Sequence, residues 1–359
     1  MKKLIISTDI GTDVDDAIAV YLAATNPEID LKAVWVTNGD VQARAHIARK
    51  LLNLASSNAR VLVGEAEALT GVKPFMHGYE NEFVTKEERE AKWPIEQNGL
   101  ESVVKMLEEP GWTIASIGPM TNLAVLLRKY PEAAKNIDRV YAMACRLAGP
   151  EHNIAHDVQA AREVFASDIP MTIVPGETCD RYRLELGPLF FEEISHSAVE
   201  FILEMAEGWR TYQQLTGMKH IAKYADEVKF EYKGQKDYED VQKTLELLRE
   251  AVKENDLGTM YSIRLNISAL GFNHPEFKEW AKQHDIPIDE ISVHDAYTIF
   301  CMLHPDLTVI TPASISITED GHIQNVPGKK HDFVLNLDYQ KFKEFLYKGL
   351  DLKEYKKSN

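Results

Sequence analysis

The chain has 359 residues, of which 45% are hydrophobic and 27% charged, and this composition is typical of a globular protein with an ample core. Its formal net charge of −16 argues against a nucleic-acid partner, and the sequence predicts neither a membrane-spanning stretch nor a secretion signal. The cysteines Cys145, Cys179 and Cys301 form no CxxC pair, so they indicate neither a disulfide framework nor a thiolate zinc site, and we expect a reducing, cytoplasmic setting.

Short apolar runs alternate with segments of helical spacing through the first half of the chain. The predicted strands cover residues 4–6, 31–37, 60–63, 112–117, 139–144 and 171–174. The first predicted helix begins near Asp15, and the others cover residues 41–55, 100–107, 122–129 (with Thr121 as N-cap) and 158–166. This alternation predicts an α/β fold with a mostly parallel central sheet flanked by helices. Ligands of such sheets bind outside the carboxyl ends of the strands.

Three stretches interrupt or follow this alternation. Residues 65–98 are predicted to be irregular, with a solvated charge run at 86–92, and a loop is expected around Glu151. A helical pattern over about 189–257 predicts a helical cap on a single domain of residues 1–359, or ordinary helices on the sheet edge. Trp209 in this pattern, like Tyr212, either faces a ligand or belongs to a core.

The last part of the chain is predicted to return to strands and helices. A strand over 290–293 leads into a helix over 296–303, and a strand over 333–337 precedes a closing helix over 339–350. Between them, residues 314–317 and the turn Asp320-Gly321 predict a C-terminal β-hairpin.

Four aspartates lie within eight positions at the end of the first strand: Asp9, Asp13, Asp15 and Asp16. Their mutual repulsion is poorly explained by stability, and a hard cation that takes oxygen ligands would relieve it. The alternative is a capped helix start with solvated charges, although capping requires only one such residue.

Further polar groups lie at other predicted strand ends: Asp40, Glu151 with Asn153, and His294 with Asp295. If the strands are adjacent, these groups converge on the aspartates. Carboxylates, an amide and an imidazole together suit a hard cation and a polyhydroxylated substrate. Each group alone is a weak signal, since a lone histidine is more often structural.

Four motifs in order resemble the nucleoside hydrolase family, the inosine-uridine-preferring nucleoside N-ribohydrolases. They are residues 8–17 (TDIGTDVDDA), 118–123 (GPMTNL), 151–153 (EHN, followed by Asp157) and 293–296 (VHDA). The resemblance implies a nucleoside hydrolase-like, Rossmann-like fold and a calcium-dependent cytoplasmic enzyme of nucleoside catabolism. Such an enzyme hydrolyses the N-glycosidic bond of a ribonucleoside, giving ribose and a free base, and forms a homo-oligomer, a dimer or tetramer.

The resemblance also implies roles for individual residues. Catalysis is assigned to Asp9, which deprotonates the attacking water, and to His294, a proposed proton donor to the base. Calcium ligands are Asp9, Asp16, Asp295 and the backbone carbonyl of Ile117. Substrate contacts are assigned to Asp15, at the ribose 2′-hydroxyl, and to Asp40, Met143, Glu151, Asn153 and His77.

This sequence departs from the family's pattern at several of these positions. Ser7 replaces an aspartate, Asp13-Val14 lengthens the acidic turn, Asp40 stands for an asparagine, and the loop before Glu151 is short. These departures leave two alternatives open: a non-catalytic calcium-dependent protein that binds a ribosyl ligand, and a hydrolase of another N-ribosyl compound.

Overall fold

The computed structural model describes residues 1–73, 80–182, 184–185, 196–206, 208–209, 235–254, 290–327 and 330–351. The chain divides into two compact units, one of residues 1–184, 188–205 and 292–359 and the other of residues 185–187 and 206–291. Among the described residues, none of the helices combines the length and the apolar character that crossing a membrane requires.

A nine-stranded sheet organises the first unit. Its strands are β1 (Lys2–Thr8), β2 (Ile29–Val36), β3 (Arg60–Val63), β4 (Ile95–Glu96), β5 (Trp112–Ser116), β6 (Ile137–Met143), β7 (Met171–Val174), β10 (Thr308–Ala313) and β13 (His331–Leu337). Across the sheet they lie in the order β10-β13-β7-β6-β5-β1-β2-β3-β4. All neighbouring strands run parallel except β10, which pairs antiparallel with β13 at one edge. The predicted α/β class with a mostly parallel sheet is therefore confirmed.

Helices cover both faces of this sheet, as parallel sheets require. The helices that the structure describes between residues 1 and 179 are α1 (Asp15–Thr25), α2 (Val41–Leu54), α3 (Lys86–Glu90), α4 (Gly99–Met106), α5 (Thr121–Lys129), α6 (Pro131–Ala134), α7 (His152–His156), α8 (Val158–Ala166) and α9 (Gly176–Cys179). A buried cluster that includes Trp35, Ile114, Leu123 and Phe165 joins the sheet to α5 and α8. Helix α1 is buried on all sides from Asp15 to Ala23, which marks it as a central helix rather than a surface one.

The strand order places a topological switch point beside β1. The chain runs from β1 outward to β2, β3 and β4, and then returns to β5 on the other side of β1. Loops after β1 and β5 therefore diverge and leave a crevice at the carboxyl edge, which is where open α/β sheets bind ligands.

The C-terminal part of the first unit follows the predictions closely. Helices α11 (His294–Leu303) and α12 (Tyr339–Gly349) are present, and β11 (Ile315–Ile317) pairs antiparallel with β12 (Ile323–Asn325). The predicted C-terminal hairpin is thus confirmed, and Gly321 adopts a φ of 83° in its turn.

Two segments differ from the predictions. Within the stretch predicted to be irregular, α3 forms because the Thr85 hydroxyl and the Glu88 carboxylate cap its first turn reciprocally. Residues 80–83 form a 3-10 turn, and β4 adds a short edge strand. The edge strand β10 was not predicted, although its Val309, Ile310 and Thr311 are typical strand residues.

The second unit contains helix α10 (Gln235–Glu254), which includes the helix predicted within residues 189–257. Its buried Leu245, Leu248 and Ala251 recur every three residues along one face. Two short strands, β8 (Leu184–Glu185) and β9 (Glu290–Ile291), flank this part of the sequence. Residues 197–206 are helical and Trp209 is buried, whereas Tyr212 lies outside the described residues. The helical cap itself stays a prediction.

Candidate active site

Three buried carboxylates meet above the switch point. Asp15 and Asp16 lie in the first turn of α1, and Asp295 lies in the first turn of α11, which packs against α1. One carboxylate oxygen of each lies within 4.8 Å of the others, and all three residues are buried. Within the described part of the chain, no other group of three or more acidic, histidine or cysteine ligands lies this close. The two ends of the chain therefore build one acidic centre.

The crowding of these carboxylates disfavours their ionisation. Burial, and then the negative charges of Asp9 and Asp15, raises the pKa of Asp16 well above its usual range. Burial and the charges of Asp15 and Asp16 likewise raise the pKa of Asp295 well above its usual range. Burial also raises the pKa of Asp15, although His294 opposes this shift. A hard cation at this point would remove the electrostatic penalty.

Asp9 follows β1 and approaches the same crevice from the sheet. Its Oδ2 accepts a hydrogen bond of 3.2 Å from Nδ2 of Asn38, which follows β2. A Cβ at residue 118 would lie 2.6 Å from Oδ1 of Asp9 and 2.8 Å from its backbone nitrogen. Only glycine therefore fits at Gly118, after β5, if Asp9 is to keep this position.

The hydroxyl of Thr8 fixes the orientation of Asp16. It donates a hydrogen bond to Oδ1 of Asp16 and accepts one of 3.1 Å from the backbone N–H of Ile10. The neighbouring Ser7 is fully buried within β1, where its hydroxyl accepts a 3.3 Å hydrogen bond from Nδ2 of Asn122. The serine that replaces the family's aspartate thus joins the link between β1 and α5.

The pair Glu151 and Asn153 lies at the start of helix α7, where a loop was expected. Glu151 is the N-cap, and its carboxylate accepts hydrogen bonds from the backbone N–H groups of Asn153 (2.8 Å) and Ile154 (3.2 Å). The side-chain amide of Asn153 donates to the carbonyls of Ile117 (3.3 Å) and Met143 (3.1 Å). Asn153 therefore connects the ends of β5 and β6. The two residues that it contacts there were both predicted to belong to the site, Ile117 as a calcium ligand and Met143 as a substrate contact.

His294 begins helix α11 and contacts a partner that the sequence did not reveal. Its Nε2 lies 3.1 Å from Oδ1 of Asp180, which directly follows α9. The guanidinium of Arg146 donates to the other oxygen of Asp180. Partial burial opposes ionisation of Asp180, but the hydrogen bonds from His294 and Arg146 outweigh it and hold the pKa of Asp180 below its usual range. The Asp180 carboxylate, which these hydrogen bonds keep in its ionised form near neutral pH, therefore orients the His294 ring.

The structure gives other positions to the remaining predicted residues. Asp40 is exposed and caps α2 by accepting a 2.9 Å hydrogen bond from the N–H of Ala43, while Asn38 is the residue after β2 that reaches Asp9. Thr121 is not an N-cap, because its hydroxyl donates instead to Asp157, at 2.8 Å. His77 lies outside the described residues.

Two residues beside the crevice hold their backbone in the left-handed region. Asn38, after β2, has a φ of 69°, and Cys145, after β6, has a φ of 76°. Asparagine tolerates this conformation, but it is unusual for cysteine. Strain of this kind clusters at functional sites, and here it falls at the carboxyl edge that carries the acidic residues.

The pKa of Glu151 leads to a prediction about stability. Burial raises this pKa to about 7, so the stabilising effect of the neutral carboxyl is complete below its unfolded pKa and is lost as the pH rises through 7. We expect the free energy of unfolding of Glu151→Gln, relative to the unchanged protein, to rise by about 2 to 3 kcal/mol between pH 5 and pH 8. Urea unfolding at several pH values measures it. Glu132→Gln, at a position 83% exposed, should show no such trend, and a flat difference for Glu151→Gln would contradict the prediction.

The sequence that builds this fold and this site matches a known family. Residues 4–344 match the family described as "Inosine-uridine preferring nucleoside hydrolase". The chain belongs to this family. The resemblance seen in the four motifs is therefore confirmed, and the match extends over nearly all of the chain.

Similar proteins agree with this membership. The chain is 30% identical over 198 residues to a "Non-specific ribonucleoside hydrolase RihC" of Klebsiella pneumoniae, a match that covers 50% of this chain and 63% of that protein. The aligned region thus spans less than two thirds of this curated relative. An inosine-uridine preferring nucleoside hydrolase of Bacillus anthracis superposes with a TM-score of 0.61 at 15% identity, covering 98% of this chain and 99% of that one. A purine-preferring ribonucleoside hydrolase of Gardnerella vaginalis gives a TM-score of 0.60 at 17% identity, with 97% and 98% covered. These structural likenesses show a shared fold.

Proposed function

We propose that this member of the nucleoside hydrolase family cleaves the N-glycosidic bond of a ribonucleoside by calcium-dependent hydrolysis, giving ribose and a free base. The observation that carries the proposal is the meeting of the buried carboxylates of Asp15, Asp16 and Asp295 within 4.8 Å at the topological switch point. An arrangement maintained solely for stability would not bury three repelling acids together.

The donor set suits a hard divalent cation, because every group is an oxygen ligand and the carboxylates are buried and close together. In the proposal, Asp9, Asp16, Asp295 and the carbonyl oxygen of Ile117 hold this ion. A calcium ion held by these residues would supply a positive charge that positions the attacking water beside the ribose hydroxyls and lowers the pKa of that water.

Asp9 serves as the general base in this mechanism. It takes a proton from the attacking water, and such a transfer requires a carboxylate held at a defined position. The hydrogen bond from Asn38 and the close approach of Gly118 hold the Asp9 carboxylate in this way. The family's role for Asp9 thus has support in contacts on both sides of the residue.

Asp15, Glu151 and Asn153 are proposed to contact the ribose hydroxyls. Carboxylates near the sugar stabilise the positive charge that develops on the ribose as the bond to the base breaks. Glu151 has a pKa of about 7 because of its burial, so near neutral pH it can donate or accept a hydrogen bond. Met143, whose carbonyl accepts a hydrogen bond from the Asn153 side chain, is proposed to contact the substrate beside these residues.

His294 is proposed to deliver a proton to the departing base. Asp180 holds Nε2 of its ring, so Nδ1 is the nitrogen left to face another partner. Substrate contacts by Asp40 and His77 stay predictions, as does the identity of the base. The names of related proteins include non-specific, inosine-uridine-preferring and purine-preferring hydrolases.

The proposal is tested with a nucleoside panel and a chelator. We expect the protein to release ribose from at least one of inosine, guanosine, adenosine, uridine and cytidine, to lose this turnover after exhaustive treatment with EGTA, and to regain it with calcium. Unchanged turnover after chelation would contradict the metal mechanism. Tight binding of a nucleoside without ribose release would favour the alternative, a non-catalytic protein that binds a ribosyl ligand.

The compartment and the assembly are part of the same proposal. All three cysteines are buried free thiols, which supports the cytoplasm as a reducing setting. A homo-oligomer, either a dimer or a tetramer, is supported by large apolar side chains exposed on the edge strand β10 and its neighbour β13, namely Val309, Ile310 and Leu335.

A further inference from the structure

Arg44 lies within α2 and is completely buried, which is rare for an arginine. Its Nη1 donates to the backbone carbonyls of Asp9 and Ile10, the second at 3.1 Å, and its Nε donates to the carbonyl of Asn38 at 2.6 Å. Its Nη2 donates to the hydroxyl of Thr12 at 3.0 Å. One guanidinium therefore holds both the acidic turn and Asn38, the residue whose side chain donates a hydrogen bond to the Asp9 carboxylate.

Glu80 balances the charge of this guanidinium. Its Oε1 lies 3.2 Å from Nη2 of Arg44 and also accepts a 3.2 Å hydrogen bond from the Thr12 hydroxyl. Both members of the ion pair are nearly inaccessible to solvent, with side chains 1% and 2% exposed. A buried pair of this kind gives little net stability and is better explained by the geometry it fixes.

The turn between β1 and α1 packs tightly onto these residues. Gly11 has a φ of 117°, and a Cβ at this position would lie 2.7 Å from Cδ1 of Ile47 on α2 and 3.4 Å from Cγ of Glu80. The carbonyls of Asp9 and Ile10 in this turn both point to the same guanidinium nitrogen of Arg44. The forked donors of arginine match several carbonyls at once, which the point charge of lysine does not.

We propose that Arg44, together with Glu80, is a positioning residue for the cation site, since it holds residues 9–12 and Asn38 in the arrangement that directs Asp9 and the start of α1 toward a shared divalent ion. This inference rests on the proposed function, because it presupposes that the acidic centre binds calcium. Neither residue contacts the reacting atoms. Their effect is transmitted through the backbone of the turn and through the hydrogen bond from Asn38 to Asp9.

Helix α2 provides a matched control, Arg49. This arginine is also buried, at 5% exposure, and donates to backbone carbonyls, those of Ala59 at 2.8 Å and Ser57 at 3.0 Å. These carbonyls belong to the loop that leads into β3 and not to the acidic turn. Arg44→Lys and Arg49→Lys therefore make the same chemical change to two buried arginines of one helix.

The experiment is a calorimetric titration of the calcium-free full chain with calcium, with the fold of each variant checked by circular dichroism. We expect Arg44→Lys to weaken calcium binding by about 10- to 100-fold, the usual effect of losing a group that orients metal ligands, and Arg49→Lys to change it by less than about twofold. Unchanged affinity in Arg44→Lys, or an equal loss in both variants, overturns the inference. Absence of calcium binding by the unchanged chain overturns the proposed function and the inference with it.

A double variant covers the case in which Arg44→Lys does not fold. Arg44→Met combined with Glu80→Met removes both buried charges, so it leaves neither one unpaired. We expect this protein to fold and to bind calcium about 10- to 100-fold more weakly than the unchanged chain. Binding of ordinary affinity in the double variant would show that the ion pair has no part in positioning the site.

Discussion

Replacing Asp16 by asparagine is expected to reduce turnover by about a thousandfold or more, because a lost cation ligand removes several kcal/mol of transition-state stabilisation and each 1.4 kcal/mol is about tenfold in rate. The same substitution should raise the melting temperature of the calcium-free protein. Burial and the charges of Asp9 and Asp15 raise the pKa of Asp16, so its ionised form destabilises the fold at neutral pH. Ribose release and scanning calorimetry measure the two effects.

The matched control for this variant is Asp13→Asn. Asp13 lies in the same turn and is half-buried, and burial together with the charge of Asp15 raises its pKa as well. Its Oδ1 accepts a 2.6 Å hydrogen bond from the N–H of Val14, and it does not belong to the group of close carboxylates. Both variants should therefore melt at a higher temperature without calcium, but only Asp16→Asn should lose stabilisation by added calcium. Equal calcium responses would contradict a ligand role for Asp16.

The sheet could be predicted because each strand carries its own local signal. A parallel strand is buried on both faces, so its apolar run is evident without knowledge of its neighbours. Residues 60–63, 158–166 and 171–174 were predicted with the observed bounds. The edge strand Thr308–Ala313 was missed because it is mostly exposed and contains Pro312, and such a pattern is also typical of a loop.

The centre of the site was within reach of the sequence, since its carboxylates follow strands or begin helices whose order could be predicted. The residues that hold this centre in place could not be predicted from the sequence. Asp180 and Glu80 lie far from His294 and Arg44 along the chain and meet them only in the folded protein. Arg44, as a charged residue in an amphipathic helix, has the pattern of a surface residue, yet it is completely buried.

Position after a strand was also an incomplete guide to side-chain direction. Asn38 and Asp40 both follow β2, and the sequence favoured Asp40 as the substrate contact. In the structure the left-handed backbone of Asn38 directs its amide to Asp9, while Asp40 caps the next helix. Positive φ angles at Asn38 (69°) and Gly39 (71°) shape this turn, and no local pattern of hydrophobic residues reports them.

Asp9→Asn should separate proton transfer from cation binding. We expect turnover to fall by about 100- to 10,000-fold, the usual contribution of a general base. The amide oxygen of the new asparagine can still accept the hydrogen bond from Asn38, so the turn should keep its shape. Asp9 is one of the proposed calcium ligands, but it lies apart from the three close carboxylates, so we expect calcium affinity to fall less than in Asp16→Asn. Ribose release and calorimetric calcium titration, applied to both variants, measure the contrast.

Comparing Asp9→Asn with Asp16→Asn is informative because Asp9 and Asp16 lie at the two ends of one acidic turn. If Asp9 were mainly a ligand, Asp9→Asn and Asp16→Asn would lose calcium affinity alike, and saturating calcium would restore turnover in both. If Asp9 is the base, saturating calcium restores nothing to Asp9→Asn, since the ion cannot accept the proton that the carboxylate took. Asn38→Ala adds an intermediate case, because it removes the 3.2 Å hydrogen bond that orients Asp9 and leaves the carboxylate in place. Its turnover should lie between those of Asp9→Asn and the unchanged protein.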